Sequence, residues 1–192
     1  MSTSSKLLLT VALIAVLGAA AVWIYGGKKQ HYETDLTINA TPSQIYSYLT
    51  DTEQVKKWVD GLMDVEPLNE LVGEEGARAR VTRNENGKVV EFEDEILRRE
   101  QDKLLSVRLT NSTLITTSIY KLEPKNEQQT VFRYTVKSEN VGLGRFLSPF
   151  AKDGTQMRIE KDAQSLKELI EKQIASGTNG AFSESAPIGA GG

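Results

Sequence analysis

The chain opens on an unbroken apolar run. Residues 7–25 (LLLTVALIAVLGAAAVWIY) hold 17 apolar side chains in 19 positions and carry no charge. As a helix rising ~1.5 Å per residue, this stretch spans roughly 28 Å, close to the hydrocarbon thickness of a bilayer. Trp23 and Tyr25 stand at its end and Lys28 and Lys29 follow, the aromatic-then-basic border of a membrane surface. The pattern predicts a single-pass anchor in the lipid bilayer over 7–25, such as a bacterial inner membrane, after a short tail, 1–6. A cleaved secretory signal fits the same residues through Lys6 and the small Ala19-Ala20-Ala21. The apolar run continues past the alanines to its aromatic border, which favours retention. Lys6 and the amino terminus balance Lys28 and Lys29, so charge does not say which membrane face the rest of the chain occupies.

Residues 26–31 (GGKKQH) predict a short flexible tether. From Tyr32 the pattern becomes alternating: Tyr32, Leu36 and Ile38 on one side, Glu33, Asp35 and Thr37 on the other, a half-buried strand. Thr41-Pro42-Ser43-Gln44 is a helix start, with a capping threonine, proline in the first turn and glutamine where a capping box needs it. Ile45, Tyr48 and Leu49 fall on one face of that short helix. Asp51-Thr52-Glu53-Gln54 repeats the signal and opens a second short helix carrying Val55, Trp58 and Val59, stopped by Gly61.

Strands follow over 62–68, 77–83, 88–97, 103–109, 113–123 and 130–137. Asn86-Gly87 is a strong hairpin signal. A two-residue loop there sets Arg80 opposite Glu93 and Arg78 opposite Glu95. It also sets Val81 opposite Phe92 and Ala77 opposite Ile96, giving one salt-paired face and one apolar face. A second turn at Gln101-Asp102 brings Arg108 beside Glu95 and sends Leu105, Val107 and Leu109 inward. The last element is a helix over about 143–174, whose stripe is Ile159, Ala163, Leu166, Ile170 and Ile174, with a break near Pro149. The domain is therefore 32–175, and the small, Gly/Ser/Ala-rich 176–192 reads as a disordered tail.

Composition narrows the chemistry. The 192 residues include no cysteine and one histidine, His31. Thiol catalysis, Cys-ligated metals and multi-His sites are out, and no cofactor is expected. The net charge of −3 leaves −5 on residues 31–175, the wrong sign for a nucleic-acid binder. The Glu91, Glu93, Glu95 ladder interleaves with Arg78, Arg80 and Arg108, which reads as a solvated, salt-paired face rather than a metal site. Gly142-Leu143-Gly144 lacks the further glycine and lysine of a phosphate loop.

The wording around the first strand and the short helices carries a resemblance. Leu36-Thr37-Ile38-Asn39-Ala40-Thr41-Pro42, then Ile45, Tyr48, Leu49, Asp51 and Trp58, resemble the START-like (SRPBCC, Bet v 1-type) superfamily. Tyr120-Lys121-Leu122-Glu123-Pro124, Thr130-Val131-Phe132-Arg133-Tyr134 and Leu166-Lys167-Glu168-Leu169 extend it over about 36–172. Within the superfamily the chain is most similar to the bacterial polyketide cyclase/dehydrase and lipid-transport group. One departure is that a second tryptophan often follows the position of Trp58; here the residues are Val59-Asp60-Gly61. The resemblance implies an α+β helix-grip: a curved antiparallel sheet of about seven strands wrapped round a long C-terminal helix, with two short helices after the first strand and an apolar cavity between. It implies a lipophilic partner (a lipid, quinone or polyketide-like molecule) and no named protein partner.

Among chemical candidates Asp94 stands out. The alternation points it inward, opposite Ala79 and near Leu109, where loss of water raises a carboxyl pKa. Such a group donates a proton or holds a polar head group; a bulge that returns it to water, or a structural hydrogen bond, is the plainer outcome. The expected cavity lining is Trp58, Met63, Val81, Phe92, Val107, Leu109, Thr116, Ser118, Tyr120, Phe132, Tyr134 and Phe150, with Trp58 and Met63 as gates. Phe146, Leu147 and Phe150 form an expected apolar lip. Three functions compete: a membrane-anchored carrier or sensor of a lipophilic molecule, a cyclase/dehydratase-like enzyme using Asp94 and a tyrosine, and a solid interaction module.

Overall fold

The computed structural model describes residues 3–85, 87–147 and 154–177, with side chains from residue 10 onward and without that of residue 147. The expected turn residue Asn86, the break at Pro149, the lip residue Phe150 and all but the start of the expected tail lie outside the described residues. A first helix, α1 (Thr3–Gly26), leads into β1 (Gln30–Ile38). Two short helices follow, α2 (Pro42–Thr50) and α3 (Thr52–Trp58). Then come β2 (Leu62–Pro67), β3 (Arg78–Glu85), β4 (Lys88–Glu100), β5 (Leu104–Thr110), β6 (Leu114–Asn126) and β7 (Gln129–Asn140). A single turn, α4 (Gly144–Leu147), precedes the long α5 (Thr155–Ala175). The seven strands form one antiparallel sheet in the order β1-β7-β6-β5-β4-β3-β2. This is the helix-grip.

Local chemistry explains the elements. The Thr41 hydroxyl accepts the Gln44 N–H at 3.3 Å and the Gln44 side chain accepts the Thr41 N–H at 2.9 Å, closing the capping box on α2. Asp51 both ends α2 and caps α3, accepting N–H bonds from Glu53 at 2.8 Å and Gln54 at 3.2 Å. Gly61 turns the chain at φ +74°, where a side chain would also strike the Asn84 carbonyl. The hairpin register is the expected one, with Arg78 opposite Glu95, Arg80 opposite Glu93 and Val81 opposite Phe92. The Arg78 ion pair is diagonal instead, to Glu93, and Arg80 turns to Glu66, its direct partner on β2, at 2.9 Å. Long arginine side chains reach a diagonal carboxylate as easily as the one opposite.

The start of the domain differs from the reading of the sequence. The tether is shorter, because Gln30 and His31 pair with Ser138 and Lys137 and belong to β1. The long C-terminal helix is described as two pieces, and Gly154 stands at the start of the second without a side-chain cap.

The core lies between α5, α2 and the β1-β7-β6 side of the sheet. Ile159, Ala163, Leu166 and Ile170 are fully buried along α5, while Ile174 emerges at its end. They meet Ile38, Ile45, Phe132 and Leu122. Among the described residues no helix is long and apolar enough to cross a membrane. The expected span 7–25 begins before the first described side chain of α1, at Thr10. From Val11 to Ile24 the apolar side chains of α1 other than half-buried Val22 are exposed. At its end Gly26 touches the domain: a Cβ there would stand 1.7 Å from the Arg145 carbonyl oxygen. Trp23 packs on Phe146 with ring centroids 5.1 Å apart, and the Arg145 guanidinium lies 5.1 Å from the Trp23 ring. Phe146 thus meets the end of α1 rather than a cavity entrance.

Candidate functional site

A cavity of about 240 Å³ lies under the other half of the sheet. Its floor is Ala79 of β3, Asp94 and Ile96 of β4, Leu105 and Val107 of β5, and Tyr120 of β6. Its roof is Leu49 and Thr50 of α2 with Thr52, Val55 and Trp58 of α3. Val65 and Pro67 of β2 and Leu71, Val72, Gly73 and Ala77 of the β2–β3 loop close one side. Leu71 and Val72 are exposed and form its rim. The loop is tied down by Arg99, whose guanidinium donates to the Gly73 carbonyl and, at 3.1 Å, to the Tyr46 hydroxyl.

Asp94 is the acidic member of this lining. Its neighbours across the ladder are Ala79 and Leu109, as the alternation predicts. Its Oδ1 is buried with no hydrogen-bond partner. Burial pushes the carboxyl up to about 6, the adjacent Glu95 charge adds to the rise, and a bond from the Glu95 backbone N–H pulls against it. The other charged member, Arg78, is committed outward to Glu93 through Nε at 2.7 Å.

Of the other expected lining residues, Trp58, Val107 and Tyr120 border this cavity. Trp58 is buried, fixed by its indole N–H to the Tyr48 carbonyl at 3.0 Å and edge-on to Tyr120 at 6.0 Å. Met63 is half exposed and points away, because the β2 register shifts between Leu62 and Asp64. Val81, Phe92, Leu109, Thr116, Ser118, Phe132 and Tyr134 face the grip but do not border the cavity. Phe132 and Tyr134 are packed solid with Tyr120, ring centroids 4.7–6.3 Å apart. Phe150 lies outside the described residues.

A buried polar cluster went unread in the sequence. Asp162 of α5 is almost fully buried and accepts the Asp60 N–H at 3.0 Å. Burial raises its pKa, while that bond and the Arg83 charge hold it down. Arg83 is buried too, donating to the Asp60 carbonyl at 2.9 Å, and its Nε lacks a partner. Tyr120, Tyr134 and Ser118 join hydroxyls beside it, and burial drives both phenol pKa values up. The signal was present: Asp162 stands three residues after Ile159, on the edge of the apolar stripe, and Arg83 alternates in phase with Val81.

The rim loop and α1 leave from opposite ends of the sheet. The loop is fixed beside Tyr46 and the β4–β5 turn. The Arg145 corner that receives α1 lies beside the β5–β6 turn, where Gly144 packs on the Thr113 carbonyl.

A curved seven-stranded sheet gripping one C-terminal helix, with an apolar hollow on one side, defines a START-like protein of the SRPBCC, Bet v 1-type superfamily. More narrowly, residues 29–171 match the family described as polyketide cyclase / dehydrase and lipid transport, and the chain belongs to it. Solved structures share the fold at low identity. The ZhuI aromatase/cyclase from a Streptomyces species aligns at TM-score 0.66 and 12% identity, over 78% of this chain and 99% of its own. Ara h 8.0201 aligns at 0.59 and 17%, over 78% and 99%. Norcoclaurine synthase from Thalictrum flavum, in complex with dopamine and hydroxybenzaldehyde, aligns at 0.56 and 11%, over 79% and 91%. No curated protein sequence matches the chain.

Proposed function

We propose that this chain binds a small lipophilic molecule in the cavity beneath α2 and α3, and that residues 7–25 anchor it to a membrane. The observation that carries the first part is an apolar hollow with one carboxylate in its wall, the usual makeup of a small-molecule site. At about 240 Å³ it lies below the ~300–1,000 Å³ of drug-sized pockets. A single ring or a short chain suits it; a two-chain lipid or a fused-ring polyketide requires the rim loop to move. The anchor rests on the exposed apolar surface of α1, which water disfavours and lipid tolerates. Because the rim lies at the sheet end away from α1, the mouth exchanges its guest with the aqueous side rather than sideways with the anchoring bilayer.

The test is extraction of the purified full chain followed by mass spectrometry, beside an Ala79→Leu, Val107→Phe variant whose larger side chains take up much of the hollow. A small apolar compound recovered from the wild type and absent from the variant supports the reading; identical extracts refute it. A cyclase- or dehydratase-like activity is the second reading. It is favoured by the position of Asp94, whose carboxyl is pushed towards the range where general acids and bases work.

A further inference from the structure

We infer that the cavity selects lipophilic molecules that carry a positively charged amino group, which the Asp94 carboxylate receives. This rests on the binding role proposed above and adds the chemistry of the guest's polar end. Asp94 borders the hollow and its Oδ1 has no donor. An ionised carboxylate has room for about four donors, and the protein supplies the Glu95 backbone N–H.

The surrounding charges leave this demand unmet. Arg78 is spent on Glu93, and Arg108 reaches Glu95 at 3.4 Å. Of the other polar lining groups, the Thr50 hydroxyl donates to the Tyr46 carbonyl at 3.0 Å, and the Tyr120 hydroxyl bonds with Tyr134 and Ser118. Apart from Thr52 the rest of the wall is apolar, so a guest without a donor leaves the carboxylate oxygen unpartnered, a neutral alcohol supplies one hydrogen bond but no countercharge, and an anionic guest adds repulsion. A guest ammonium supplies both countercharge and hydrogen bonds, and charge-assisted bonds are roughly twice as strong as neutral ones. The volume admits a short alkyl or single-ring body behind that head.

Ligand-detected NMR titrations of the full chain in nanodiscs, with empty nanodiscs subtracted, test this with hexylamine, hexanol and hexanoate. Hexylamine is expected to bind about tenfold more tightly than hexanol, with hexanoate weakest. Asp94→Asn keeps the side-chain shape; it is expected to weaken hexylamine about tenfold and leave hexanol within about threefold. Equal affinities in the wild type, or an amine preference that survives Asp94→Asn, overturn the inference and leave the cavity role standing. Should Asp94→Asn fail to fold, the wild-type ranking decides by itself. If none of the three probes binds, the cavity reading falls and this inference with it.

Discussion

Asp94 carries a stability cost that pH reveals. Its carboxyl moves from an ordinary value near 3.8 to about 6 on folding. At ~1.4 kcal/mol per pH unit, that opposes folding by about 3 kcal/mol once the group ionises. The folded state holds the proton more tightly than the unfolded state. Stability from this group is therefore full below pH ~3.8 and lost as pH rises to about 6. Asp94→Asn has no charge to bury and escapes the loss. Urea unfolding of the full chain in nanodiscs, wild type beside Asp94→Asn, from pH 4 to pH 8, measures it. The two are expected to differ little at pH 4, and the variant to gain on the order of 2–3 kcal/mol by pH 8, all of the change falling below about pH 7. A stability difference constant across that range would refute the argument, since it would mean that Asp94 titrates alike in the folded and unfolded chain. Because Asp94 borders a cavity rather than a packed wall, a cost of this kind marks a residue kept for binding rather than for stability.

Leu166, fully buried beneath the sheet, is expected to cost about 3–4 kcal/mol when cut to alanine, read from the same unfolding curves. Trp58→Phe removes the donor to the Tyr48 carbonyl; a loss of about 1–3 kcal/mol is expected in the melt. Thr41→Ala opens the capping box of α2 and is expected to cost about 1 kcal/mol. Gly26→Val forces a side chain onto the Arg145 carbonyl; limited proteolysis is expected to cut faster within residues 27–29, with the domain's melting midpoint unchanged.

The strands and short helices were legible because each is specified by local chemistry. Thr41, Asp51 and Gly61 mark their own ends, and the Arg78 to Glu95 and Val81 to Phe92 pairings follow from strict period-two alternation. Asp94 was legible for the same reason. The location of the hollow was not, because alternation says which face a residue takes but not how far the covering helices reach along the sheet. Val81, Phe92, Thr116 and Tyr134 share the inward face with Asp94 and Val107 yet do not border the cavity. Met63 was misread through an irregular register, which depends on the partner strand and leaves no trace in one sequence. The Asp162 and Arg83 cluster shows the opposite failure, since both residues stood in phase with apolar neighbours and were passed over because charged side chains so seldom go inside.

Residue size explains why one half of the grip is solid and the other hollow. Where α5 lies on the sheet, the facing residues are large: Phe132 and Tyr134 from β7 and Leu122 from β6 meet Ile159, Leu166 and Ile170. They interlock, and water and guests are excluded alike. Beyond Tyr120 the floor changes to Ala79, Asp94 and Val107, the loop above contributes Gly73 and Ala77, and α5 no longer provides the roof. The short helices α2 and α3 cover that region, held by the Trp58 bond to Tyr48 and by the Arg99 clasp between Tyr46 and the rim loop. Small floor residues under a roof of two short helices leave a void that side chains do not fill. Such a void is costly when empty, by roughly 24 cal/mol per Å³ when a core side chain is deleted to make one. Larger side chains at Ala79 and Val107 would take up much of it. A hollow and a buried carboxylate oxygen without a partner are thus two departures from best packing in one place, and a guest that carries a donor would relieve both together.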